Sequence, residues 1–263
     1  MIRAERISKT FSRGTAMETP ALRGLDLEIP AGQFVTVIGS NGAGKSTLLG
    51  ALAGETIADE GRVLIDDIDV TNWPTFRRAA LVARVFQDPL AGSCGALTIE
   101  ENLSLAASRG KGRGLARAIS KTSRDSFQSL LARLNLGLEN RMRDKMELLS
   151  GGQRQAMSLL MATLKPMKIL LLDEHTAALD PKTAGFVLDL TRQIVAEQKL
   201  TTLMVTHSMS QALAAGDRTV MLHQGRIILD VSGDERAGMT VQDLLDMFHR
   251  QRGEALDDDS ALD

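Results

Sequence analysis

The run GSNGAGKST at 39–47 has the residue types needed to hold the oxygens of a polyphosphate. It fits G-x-x-x-x-G-K-[ST] and sits between a short β-branched stretch, FVTVI, and a helix-forming stretch, STLLGALAG. Gly39, Gly42 and Gly44 let the backbone wrap so that the N–H groups of the loop, those of Ser40, Asn41 and Ala43 among them, turn inward. The helix that follows adds the partial positive charge of its N-terminus. Lys45 would reach the β- and γ-phosphates as a point charge, the Ser46 hydroxyl would ligate Mg²⁺, and Thr47 begins the helix.

A metal held by one hydroxyl needs a carboxylate, and ILLLDE at 169–174 offers two. Four apolar residues form a buried strand that delivers Asp173 to the Mg²⁺ opposite the phosphate loop. Glu174 lies one residue beyond the buried run, where a carboxylate can orient or deprotonate a water for attack on the γ-phosphorus. Paired acids at a strand end are common in solvated turns; the upstream loop gives this pair its meaning.

The elements that must position these groups follow from periodicity. The first third reads as strands and turns, from LDLEIPAGQFVTVIG through GRVLIDDIDV to LVARVFQDP, broken at Pro30, Gly32 and Gly61. From Thr98 to Leu164 the pattern is helical: Thr98 and Glu101 fit a capping box, DSFQSLLARLNL carries an apolar stripe, and SGGQRQAMSLLMATL is a further helix. Strands return at MKILLLD and TTLMVTH, each followed by a helix, the first of them capped by Asp180 before Pro181. DRTVMLHQGRIILDV reads as a hairpin turning at Gln224 and Gly225. Apolar strands alternating with helices predict an α/β fold with a mostly parallel sheet, into which the helical middle is inserted.

A chain of 263 residues with 43% hydrophobic and 24% charged residues can bury a substantial core. Its net charge of −2 argues against attraction of the whole surface to nucleic acid, so anion binding must be local. The lone Cys94 has no internal disulfide partner, and MIRAERISKT lacks the apolar core of a signal peptide, which points to a reducing cytoplasm. No apolar run is long enough to span a membrane, so work at a membrane would need a partner that supplies the span. Between Arg109 and Arg124 lie six basic residues and no acidic one. A solvated loop is the ordinary reading of such a run, and a patch for lipid headgroups or a partner is the sharper one. The tail GEALDDDSALD is acidic and is expected to be loose.

With both motifs quoted, the chain resembles the nucleotide-binding subunit of ATP-binding cassette (ABC) transporters over roughly Met1 to Val231. LSGGQ at 149–153 is the family signature. The resemblance implies a P-loop NTPase, RecA-like core over 1–88 and 165–234 with an N-terminal antiparallel β part. It further implies a helical signature segment over 89–164 and a C-terminal helix with an acidic tail over 235–263. The implied activity is ATP hydrolysis with Mg²⁺ by a head-to-tail homodimer, in which Ser150, Gly151, Gly152 and Gln153 of one copy meet the γ-phosphate held by the other. By the same resemblance Gln87 contacts Mg²⁺ and the water, His207 contacts the γ-phosphate, Asp180 belongs to the dimer-contact loop, and Phe11 stacks on adenine where the family commonly has Tyr.

The family usually has proline after the acidic pair, and here it is His175. That departure reads either as a local backbone variation or as a polar contact that alters coupling or pH response. The implied partners are integral membrane permease subunits at the inner face of the cell membrane, with a solute-binding protein as a further partner the resemblance allows, and no nucleic acid. A cassette without a fused membrane part, with GQFVTVIGSNGAGKSTLL and LTIEENLSLA, is similar to bacterial ATPases for uptake of amino acids and other small solutes. Relatives in DNA repair need a long coiled coil, for which too few residues separate Gln87 from Ser150, and ribosomal relatives usually carry two cassettes. A soluble ATPase of iron–sulfur assembly stays open as the alternative.

Overall fold

The computed structural model of the protein describes residues 1–110 and 118–260. Its strands, in chain order, are β1 (Ile2–Phe11), β2 (Thr19–Ile29), β3 (Phe34–Gly39), β4 (Glu60–Ile65), β5 (Ile68–Asp69), β6 (Val82–Val85), β7 (Ile169–Asp173), β8 (Thr202–Val205), β9 (Arg218–His223) and β10 (Arg226–Ser232). One sheet is antiparallel, in the order β2-β1-β4-β5. The other runs β10-β9-β3-β8-β7-β6, parallel from β9 to β6, with β10 returning antiparallel.

The register of the parallel sheet sets the site. Val37 pairs with Val205, Asp173 with Val205, and Gly39 with Leu222, so β3, β8 and β7 end together at one edge. The residues that leave those ends are the phosphate loop, His207 and Glu174, and β6 ends beside them two residues before Gln87. Ligand chemistry at the carboxyl ends of parallel strands follows from this geometry.

The helices are α1 (Lys45–Ala53), α2 (Thr75–Arg78), α3 (Ile99–Ala107), α4 (Lys121–Ala132), α5 (Gly151–Thr163), α6 (Pro181–Gln198), α7 (Met209–Ala215), α8 (Gly233–Arg236) and α9 (Val241–Ser260). The alternation of β7 divides the core: Ile169 and Leu171 pack with α1 and the antiparallel sheet, while Leu170 and Leu172 pack with residues of α3, α4, α5 and α6. Both faces of the sheet are therefore covered, as its continuous apolar strands require. Three helices, α3 to α5, lie between β6 and β7 in the chain, with no strand among the described residues there.

Local signals set several boundaries. Thr98 and Glu101 form a reciprocal capping box at α3, and Asp180 accepts from the Thr183 N–H at the start of α6 with Pro181 in the first turn. Within GRVLIDDIDV, Asp66 and Asp67 adopt left-handed φ of 47° and 63° and turn it into the β4–β5 hairpin. Helix α9 continues to Ser260, so the acidic tail expected to be loose is helical up to that residue. Of the basic run from Arg109 to Arg124, residues 111–117 lie outside the described residues; Arg109 donates to the Lys165 carbonyl and Arg124 pairs with Glu100 at 2.7 Å.

Candidate functional site

The phosphate loop is shaped by close backbone packing. Gly44 has φ of 100°, and a Cβ there would lie 2.4 Å from the Ala21 carbonyl oxygen of β2. Gly42, with φ of 77°, has nothing within 4 Å of the corresponding position, so its face is open to the cleft. The Ala43 carbonyl accepts from the N–H of Gly225, in the β9–β10 turn, at 3.0 Å. Lys45 is buried, and its Nζ donates to the carbonyls of Gly39 at 2.8 Å and Ser40 at 2.9 Å. Two of its three donors thus brace the loop, leaving one for an anion. Burial lowers the Lys45 pKa, and the charges of Glu174 and Asp173 act in the opposite direction.

These residues line a cleft of about 450 Å³ with Phe11, Thr19, Ala21, Glu174 and His207. The loop contributes Asn41 through Thr47 to it, with the Ser46 side exposed. Phe11 ends β1, is 42% exposed and has the Lys9 ammonium 5.7 Å from its ring centre. Lys9 in turn pairs with Asp59 at 2.8 Å, which fixes the edge of that face.

Glu174 has a left-handed φ of 45°, and its N–H donates to the Val205 carbonyl at 3.0 Å. This turn at the end of β7 brings Glu174 Oε1 to 2.6 Å from His207 Nε2. A non-glycine residue in that conformation stores strain of order 1 kcal/mol, which the surrounding hydrogen bonds sustain.

The same turn sends His175 inward. Its ring is 2% exposed, and Nε2 lies 3.0 Å from the Thr191 hydroxyl. That hydroxyl donates to the Val187 carbonyl at 2.8 Å, so Nε2 must carry the proton that joins ring to hydroxyl. Burial lowers the His175 pKa to about 4. The ring is a neutral element of the α6 packing, and its polar contact is made to Thr191.

Gln87, Asp180 and the Ser150–Gln153 turn do not line the cleft of their own chain. Gln87 is exposed just after β6, and α5 grips the chain on both sides of it. Gln155 Nε2 donates to the Phe86 carbonyl at 3.2 Å and the Ser158 hydroxyl to the Pro89 carbonyl at 3.3 Å. Ser150 caps α5 reciprocally with Gln153. Gly152 has a packing role beyond any donor role: a Cβ would fall 2.1 Å from Thr183 Cγ2 of α6. Asp180 keeps its carboxylate low in pKa chiefly through the hydrogen bond to Thr183.

Sequence reasoning missed one contact. Arg84 of β6 places Nη2 2.5 Å from Asp173 Oδ2, while Nη1 meets Glu55 just past α1. The available signal was a charged residue inside the otherwise apolar strand VARV. Among the described residues no three His, Cys, Asp or Glu side chains gather to hold a metal by themselves, and no helix is long and apolar enough to cross a membrane.

The sequence pattern of the family described as ABC transporter matches residues 22–177. The chain is 43% identical over 248 residues to the tyrosine transport ATP-binding protein of Clostridioides difficile (strain R20291), covering 94% of this chain and 98% of that one. It is 33% identical over 231 residues to the thiamine import ATP-binding protein ThiQ of Chelativorans sp. (strain BNC1), covering 88% and 86%. Among solved structures, the dimeric post-hydrolysis state of the ATP-binding cassette MJ0796 bound to ADP and Pi superposes with a TM-score of 0.76 at 29% identity, covering 88% of this chain and 98% of that one. A phosphate loop, an acid–histidine pair at adjoining strand ends and a signature turn opening α5 occur here in one chain, over a length these relatives share almost end to end. The chain belongs to the ABC transporter family, as an ATP-binding cassette that hydrolyses ATP.

Proposed function

We propose that two copies of this chain bind two MgATP head to tail and use their hydrolysis to drive uptake of a small, amino-acid-like solute through membrane permease subunits. The observation that carries this reading is a division within the chain: Lys45, Ser46, Glu174 and His207 converge on one cleft, whereas the Ser150–Gln153 turn faces elsewhere with Ser150 and Gly151 exposed. A helix N-terminus bearing a serine and two glycines is an anion site, and a second copy is the natural source of its anion.

Phe11 offers a face for adenine, and backbone N–H groups of the glycine-rich loop hold the phosphates. Lys45 and the α1 N-terminus stabilise charge on the β- and γ-phosphate oxygens. Ser46, Asp173 and Gln87 offer only oxygen atoms as ligands, which suits a hard cation that arrives with its phosphates. Ser46, Asp173 and Gln87 would hold Mg²⁺, which when bound neutralises charge on the transferred phosphoryl group. Glu174 orients a water and accepts its proton as the oxygen attacks the γ-phosphorus, while His207 contacts a γ-phosphate oxygen. ADP leaves, and the two copies separate.

The relatives reported above are both transport or import ATP-binding proteins, which supports transport over cofactor assembly. Leu90, three residues after Gln87, is an exposed apolar side chain, and a permease helix at the inner membrane face would take its motion from the segment that carries them. Cargo choice belongs to the permease and any solute-binding protein. The test is light scattering of Glu174→Gln with ATP and magnesium, in which a dimer is expected and a strictly monomeric sample overturns the sandwich. With the native permease in liposomes, the cargo is the solute that stimulates phosphate release.

A further inference from the structure

Arg84 is a costly residue for its place. It sits in the middle of a four-residue strand of a sheet covered on both faces, with its side chain 13% exposed and its buried Nε lacking a hydrogen-bond partner. An apolar residue there would avoid the desolvation of a guanidinium and the unmet donor. A local rule broken without a stability gain points to function.

The side chain acts as a fork. Nη2 takes Asp173 Oδ2 at 2.5 Å, Nη1 takes Glu55, and the guanidinium lies 4.8 Å from the Phe86 ring centre. Three segments are thereby joined: the chain just past α1, the end of β7, and β6 three residues before Gln87. The Asp173 carboxylate can no longer rotate freely, because Oδ2 is fixed by the guanidinium, and Oδ1 is the oxygen this pairing leaves for a cation. The charges also balance. Arg84 alone would cancel the negative charge that a cation needs at Asp173, but Glu55 on the other tine returns the group of three to a net single negative charge.

We propose that Arg84 is a positioning residue for the magnesium site, holding Asp173 in one rotamer while Glu55 preserves the site's negative charge. The inference rests on the assignment of Asp173 to Mg²⁺ above. Partners of metal-binding carboxylates contribute about 10- to 100-fold to metal affinity when they orient the carboxylate.

The experiment titrates magnesium into protein mixed with a fluorescent, non-hydrolysable ATP analogue, with analogue binding in EDTA as the reference. Arg84→Met should raise the half-saturating magnesium about tenfold while metal-free analogue affinity stays within about twofold of wild type. In an Asp173→Asn background the same change should add nothing, because the group it orients is gone. Glu55→Gln leaves the Arg84–Asp173 contact in place and should raise the magnesium requirement roughly threefold through charge alone; it carries the test if Arg84→Met does not fold. A wild-type magnesium requirement in either folded variant overturns the proposal, as do penalties that multiply with Asp173→Asn. If wild type itself shows no magnesium dependence, the metal assignment fails together with this proposal, whereas an unchanged variant beside a dependent wild type removes only the role of Arg84.

Discussion

Glu174 Oε1 and His207 Nε2 stand 2.6 Å apart at the ends of adjacent parallel strands, with Glu174 held in a left-handed turn. The carboxylate is largely enclosed and the imidazole is 46% exposed, so the pair has one anchored member and one that can turn to a ligand. Glu174→Gln is expected to keep ATP binding and lose turnover by roughly 10²- to 10⁴-fold, the range of a general base. Phosphate release in single-turnover mixtures checks this, and a rate near wild type would assign the base elsewhere. His207→Ala should lower turnover too, with little change in ATP affinity measured by equilibrium binding.

Gly152 predicts a specific suppressor. Gly152→Ala places a methyl group where Thr183 Cγ2 already sits, so either the Thr183 side chain turns out of its place or α5 and α6 part. A destabilisation of about 1–3 kcal/mol is expected. Thr183→Ser removes that methyl and keeps the backbone N–H that Asp180 caps, so the double variant should recover most of the loss in urea unfolding. Failure of the serine to rescue would mean that the strain lies in the backbone.

His175 gives the protein an acid limit. The ring titrates at about 4 when folded and at its ordinary value of 6.5 when unfolded. Above pH 6.5 both states are neutral and the buried ring contributes in full; as pH falls from 6.5 towards 4 the unfolded chain takes up a proton that the folded chain refuses, and stability declines. The loss approaches about 3 kcal/mol at the lower end. His175→Asn should flatten that decline in denaturant midpoints measured from pH 7 to pH 4.5, and an unaltered slope would contradict the neutral buried ring.

Arg78 should be among the least replaceable residues outside the cleft. It is fully buried, and its guanidinium donates to the Ala51 and Leu52 carbonyls at the end of α1 and to those of Val70 and Thr71. Arg78→Met leaves these acceptors without a donor and should cost about 3 kcal/mol or more. Calorimetry checks it; a shift of only a degree or two would mean that water replaces the guanidinium.

What the sequence made legible is what local chemistry dictates. The caps at Thr98, Ser150 and Asp180 satisfy N–H groups within three residues, so their signals are contiguous. The phosphate loop is likewise one stretch of backbone between a strand and a helix. Arg84 could not be placed because its partners lie 29 and 89 positions away in the chain. Gly152 could be read as a donor but not as a spacer, since Thr183 reaches it only after α5 and α6 pack. The β4–β5 turn escaped notice because two aspartates occupy positions where glycine or asparagine is the usual sign.

The hairpin turn at Gly225 supports Ala43, and β3 itself lies between β8 and β9. The loop at 39–47 is thus completed by strands that follow it far along the chain. On the ribosome this cassette should remain unable to capture nucleotide until β9 and the turn after it have emerged, so ATP cannot commit an unfinished subunit to assembly.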